Sequence, residues 1–148
     1  MNCFCYDTPV GSISIEDDGN FVTSVSFEKK KSSDKESELA KNTYFQLLEY
    51  FQKKRKKFDV PVNPEGTEFQ KSVWKALCEI PYGSVCTYKD IAEKINNPKA
   101  FRAVGTANNK NPLLIIIPCH RVVSADGSLA GYSGGLAAKR FLLDLEKG

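Results

Sequence analysis

Histidine occurs once, as His120, in the 148 residues of this chain. That scarcity excludes a multi-histidine metal centre. The five cysteines (3, 5, 78, 86 and 119) form an odd set without a Cys-x-x-Cys pair, so neither a structural zinc site nor a disulfide framework is expected. The "CFC" stretch reads instead as two thiols, Cys3 and Cys5, on one face of an edge strand. Long hydrophobic runs are missing as well. The run "LLIII" (113–117) falls far short of the roughly 20 residues a membrane helix needs, so no membrane partner is expected. The opening "MNCFCYDTP" has neither the basic stretch nor the apolar core of a secretory signal. Free thiols in the cytoplasm are the expectation.

Charge of one sign is equally scarce. A formal net charge of +3 does not by itself announce a nucleic-acid binder. Its distribution says more: residues 1–65 carry ten Lys and Arg against eleven Asp and Glu, whereas residues 66–148 carry eleven against seven. The mild positive field belongs to the half that holds His120.

What is present reads as an α+β chain. "GSISIE" (11–16) and "FVTSVSFE" (21–28) alternate with period two around the turn signal "DDGN", predicting an antiparallel hairpin with "CFCY" as a third strand. The polar stretch 29–37 reads as a mobile loop. A helix follows, with Tyr44, Leu47, Leu48 and Phe51 on one face. It runs out in "KKRKK" (53–57), a solvated end that suits the helix dipole. "FDVPVNPEG" (58–66) reads as a linker, which divides the chain into domains 1–63 and 64–148.

Three helix signals come next. Thr67 with Gln70 forms one capping box, and Phe69, Val73, Leu77 and Ile80 point toward a core. Thr87 with Asp90 forms a second, leading Tyr88, Ile91, Ala92 and Ile95. Pro98 is expected to start the following helix, "PKAFRAVGTANN", giving a helix-turn-helix corner. That helix has a thin wall of Ala100, Ala103, Gly105, Thr106 and Ala107, broken by one long cation, Arg102. A thin wall suits close helix packing or approach to a narrow groove; the shortage of polar side chains argues against base-sequence readout. In the last helix, Ala138, Leu142 and Glu146 recur every four residues, with Phe141 and Leu145 expected toward the core.

"IPCHRVV" (117–123) sets Cys119 beside His120. Neighbours in an extended segment point to opposite faces, so a direct hydrogen bond between them is disfavoured. A free cysteine is often only a small buried apolar residue. Here Pro118 fixes the approach to the pair, and a glycine-rich loop (124–135) follows, where a site is both held and open. A free thiol is only a few per cent ionised at neutral pH. His120 could take its proton through one water, and a carboxylate, Glu146 or Asp144, could orient the second ring nitrogen.

"PCHRV", preceded by "NPKAFRAVGTANNKNP" and followed by "GYSGGLAAK", resembles the O6-alkylguanine-DNA alkyltransferases, the methylated-DNA–protein-cysteine methyltransferases. "TPVGSISI" and "NPEGTEFQKSVWKAL" extend the resemblance over essentially the whole chain. It implies a small ribonuclease H-like domain packed on a helical domain of winged-helix, helix-turn-helix type. It implies irreversible transfer of an alkyl group from O6-alkylguanine in double-stranded DNA to the protein itself, with O4-alkylthymine a further candidate, no cofactor and no metal. The chain would act once, as a monomer. Matching positions make Cys119 the acceptor, His120 its base through a water, Glu146 the orienting carboxylate and Asn111 the support of the site's turn. Tyr88 would contact the flipped base, and Arg102 would fill the space it leaves, on a DNA-facing wall with Ala103, Gly105 and Thr106. Val122, Tyr132, Ser133, Gly134 and Lys139 would line the base pocket. The zinc site of some relatives has no ligands here, and no further N-terminal regulatory domain is expected. Two rival readings are a lesion-binding protein of the alkyltransferase-like type, in which the acceptor cysteine is replaced, and a turnover hydrolase with a Cys-His-Glu relay.

Overall fold

The computed structural model describes residues 1–33, 35–129 and 131–148; Asp34 and Ala130, within the two loops named above, lie outside the described residues. The chain is α+β and divides into two compact units: residues 1–65 with 112–116, and residues 66–111 with 117–148. A single boundary near residue 63 therefore misses one detail, the return of 112–116 to the first unit.

The first unit is a meander. Strands β1 (Asn2–Thr8), β2 (Gly11–Asp17) and β3 (Val22–Ser26) pair antiparallel in chain order, as the alternation predicts. Ile13 and Ile15 share one face of β2, and with Val22 and Val25 they are completely or almost completely buried. Helix α1 (Glu38–Phe51) contributes Ala40, Thr43, Leu47 and Tyr50 to the buried set. Its inward face is thus turned from the expected one: Tyr44, Leu48 and Phe51 are only half-buried, and Tyr50 lies in the core. Tyr44 is held at the margin, stacked on Tyr6 at 4.0 Å with its hydroxyl donating to the Asp7 carbonyl. Full burial of each large apolar side chain contributes about 1.5–3 kcal/mol, so the buried stripe sets the helix rotation.

Two stretches read as irregular are tied to the sheet. The loop after β3 lies along β1: Ser33 N donates to the Cys3 carbonyl, and Ser32 Oγ accepts from Cys5 N. Within the stretch expected as a loop, Ser32 and Ser33 supply side-chain acceptors to the Cys5 and Cys3 amides. Likewise the end of the first unit's linker-like stretch caps β3, with Val22 N donating to the Pro61 carbonyl and Asn63 N to that of Val22. Residues 112–114 do the same at Val25. An edge strand with unpaired backbone groups is an aggregation hazard, and these contacts cover it.

The second unit is mainly helical: α2 (Glu68–Leu77), α3 (Tyr88–Lys94), α4 (Phe101–Asn109) and α5 (Leu136–Lys147). Both capping boxes form in full, Thr67 with Gln70 and Thr87 with Asp90. Val73, Leu77 and Ile80 are buried as expected, while Phe69 is only partly so. Trp74 is buried and its Nε1 donates to the Ala107 carbonyl at 2.9 Å, locking α2 to α4. Helix α4 starts at Phe101 rather than Pro98, because Ala100 N bonds back to the Asn97 carbonyl and residues 97–100 close a turn first. A short parallel pairing joins β4 (Cys86–Thr87) to β5 (Val122–Val123). It fixes the segment after the Cys119–His120 pair against the start of α3.

The buried face of α5 also departs from expectation. Lys139, Leu142, Leu143 and Glu146 are buried, whereas Phe141 is exposed and Ala138 and Leu145 are intermediate. Two charged residues displace apolar ones from the inside, and both have partners in the site.

Candidate active site

Cys119, His120 and Arg121 form one turn of 3-10 helix behind Pro118. The extended geometry assumed for the pair is thus corrected. The Ile117 carbonyl that precedes the turn accepts from Asn111 Nδ2 at 2.8 Å. The thiol and the ring remain separate groups: Asn111, and not His120, is the side chain whose hydrogen bonding favours the Cys119 thiolate.

The site is dry. Cys119 is 1% and His120 0% exposed. Burial pushes the Cys119 thiol up to about 11, against smaller lowering effects from the Asn111 hydrogen bond and the Lys139 charge. His120 is held below its ordinary value, again mainly by burial, with Glu146 pulling the other way. Resting states are therefore a thiol and a neutral imidazole. His120 Nε2 lies 2.7 Å from Glu146 Oε2, so in the neutral ring Nε2 carries the proton and donates to the carboxylate. The other nitrogen, Nδ1, is buried and has no hydrogen-bond partner in the protein among the described residues. In the neutral ring it is the acceptor nitrogen. Asp144, the alternative carboxylate, is exposed and takes no such position.

Glu146 is held in turn. Arg121 donates to it through Nε at 2.8 Å and Nη2 at 3.0 Å, and the Gly83 amide adds a longer bond at 3.3 Å. Arg121 and Gly83, which hold Glu146, are not among the expected site residues. The signal for Arg121 was available in its place directly after His120; that for Gly83 was not.

The remaining expected residues fall into two groups. Burial, and then the charge a Cys119 thiolate would carry, raises Tyr88 and Tyr132, while Lys139 is lowered by its own burial. Lys139 is fully buried, with Nζ donating to the Val122 carbonyl at 2.6 Å and the Gly131 carbonyl at 3.4 Å. Of the loop residues, Ser133 is exposed and Gly134 intermediate. Arg102, Ala103 and Thr106 form a separate exposed face on α4. Gly105 connects the groups, since a Cβ built there would meet the Tyr88 ring at 3.8 Å.

A buried thiol beside a histidine whose ring is hydrogen-bonded to a clamped carboxylate is the set of groups that cysteine-nucleophile chemistry uses. Similarity to known proteins narrows the class. Residues 68–148 match the family described as 6-O-methylguanine DNA methyltransferase, DNA binding domain. A methylated-DNA–protein-cysteine methyltransferase of Methanosarcina acetivorans is 51% identical, with 95% of each chain covered. The Methanosarcina mazei protein of the same name is 64% identical over 102 residues, covering 69% of this chain and 65% of its own length, just under two thirds. Among solved structures, Mycobacterium tuberculosis OGT in complex with DNA is 42% identical with a TM-score of 0.89, covering 97% of this chain and 91% of that one. The chain belongs to the family of methylated-DNA–protein-cysteine methyltransferases.

Proposed function

We propose that this protein repairs double-stranded DNA by moving the alkyl group of O6-alkylguanine onto Cys119. The observation that carries the reading is the 2.7 Å contact between His120 Nε2 and Glu146, which leaves Nδ1 as an acceptor one residue from a buried thiol. One water suffices to pass the thiol proton to Nδ1. The thiolate then attacks the alkyl carbon; the S–C bond forms, the C–O6 bond breaks, and its electron pair stays on the guanine, which takes up a proton. Donors at the developing charge, the Tyr88 hydroxyl and the Ser133 amide, contribute about 3 kcal/mol in comparable sites. The thioether has no easy reverse path, so each chain acts once.

The base must leave the duplex to reach a thiol that is 1% exposed. The exposed wall of α4, with Arg102, Ala103 and Thr106 outermost, suits approach to the minor groove, with Arg102 filling the vacated stack. Val122, Tyr132, Ser133, Gly134 and Lys139 would enclose the extruded base. In this reading the first unit is ribonuclease H-like, the second is of winged-helix type, and the protein works as a monomer. Five free thiols suit a reducing compartment such as the cytoplasm. The lesion-binding alternative lacks support because the acceptor cysteine is present.

Intact mass after incubation with O6-methylguanine duplex tests the proposal. One methyl group per chain is expected, located on Cys119, and Cys119→Ala should lose transfer while still binding DNA. Release of methylated product over several turnovers would instead favour a hydrolase.

A further inference from the structure

Arg121 has no part in the transfer outlined above, yet its guanidinium sits at the centre of the relay. Nε and Nη2 take the two oxygens of Glu146, Nη1 donates to the Ile80 carbonyl at 2.8 Å, and the group lies 5.6 Å from the centre of the Tyr82 ring. Glu146 Oε2 is the oxygen that also accepts from His120. A single carboxylate is thus shared between a permanent cation and a titratable ring.

Sharing has an electrostatic consequence. A carboxylate against a buried histidine favours the imidazolium, and a cation on that carboxylate offsets the pull. The charged and titratable groups acting on His120 come from two elements. Glu146 and Lys139 project from α5, while Arg121 sits next to the ring on its own turn. Tyr82 closes the far side of Arg121. Glu146 is the acidic member of the set at neutral pH, and Arg121 is the cation in hydrogen-bond contact with it.

We propose that Arg121 is a positioning residue: by clamping both oxygens of Glu146 it fixes His120 through Nε2–H and offsets the carboxylate's charge, so that His120 rests as a neutral base with Nδ1 free. The inference rests on the proposed transfer only for what the base is used for. The protonation state itself is measurable without any transfer.

His120 is the chain's single histidine, so the ring signals of the 15N-labelled full chain report it alone. The unsubstituted protein should show the neutral Nε2–H tautomer at neutral pH. Arg121→Met should show about tenfold more imidazolium at a given mildly acidic pH, and Arg121→Lys, which keeps the charge, a smaller increase. With free O6-benzylguanine, the methionine variant should lose rate on acidification at correspondingly higher pH. An imidazolium in the unsubstituted protein at neutral pH would overturn the inference. So would a methionine variant titrating like the unsubstituted chain, or a rate lowered by one factor at every pH. If the methionine variant does not fold, the lysine variant and the resting tautomer still decide. A chain that titrates as expected but accepts no alkyl group would sink the proposed function and leave this inference standing.

Discussion

Cys119 carries a thiol that its surroundings discourage from ionising. With its value pushed up to about 11, roughly one chain in 10⁴ holds a thiolate at neutral pH without help. Removing the base should expose that penalty. For His120→Gln, the single-turnover rate with free O6-benzylguanine should fall by about 10²–10⁴ at neutral pH. The residual rate should then climb about tenfold per pH unit toward 11, because the thiol must ionise by itself. A variant with unchanged rate and a flat profile would remove His120 from the mechanism. At this scale the sequence was informative about the pair and ambiguous about the carboxylate. Glu146 and Asp144 are two residues apart on one helix; only the rotation of α5, which buries the first and exposes the second, separates them.

Helix α4 is where the proposed chemistry and the proposed DNA contact can be pulled apart. Arg102 and Ala103 are exposed, so substitutions there should change stability by no more than about 0.5 kcal/mol. Arg102→Ala should lose rate on duplex DNA and keep its rate with free O6-benzylguanine, which needs no extrusion. The duplex deficit should persist at saturating DNA; full recovery there would make Arg102 an ordinary phosphate contact. Ala103→Leu, which thickens the wall, should weaken duplex binding and spare the free-base reaction. Local signals served well for elements whose ends are set within four residues, as in the two capping boxes. They failed for the start of α4 and the faces of α1 and α5. There the deciding partner lies far along the chain, so periodicity alone chose the wrong neighbours.

For the molecule as a whole, the buried histidine ties stability to pH. The folded value of His120 lies below its ordinary 6.5 because burial disfavours the charged ring. As pH falls through 6.5 the unfolded chain takes up a proton that the folded chain refuses, so stability falls with pH until the folded value is passed. One such proton costs at most about 1.4 kcal/mol per pH unit. Asp18 and Asp126, depressed by backbone hydrogen bonds from Asn20 and Ser128 respectively, lose their contribution only below 3.8. Urea midpoints should therefore decline from about pH 6.5 downward, and His120→Gln should flatten that decline. Equal slopes in both proteins would show that another group carries the acid sensitivity.

The β1–β3 meander, the capping boxes and the chemical identity of Cys119 and His120 were determined by sequence alone, since each depends on neighbours a few positions away or on the side chain itself. The contacts around His120 were decided only by tertiary structure. His120 meets Glu146 across 26 positions and Arg121 reaches the Ile80 carbonyl across 41. Charged side chains enter a core only where packing supplies partners for them, and those partners exist only once α5, the loop after α2 and the Cys119 turn have come together.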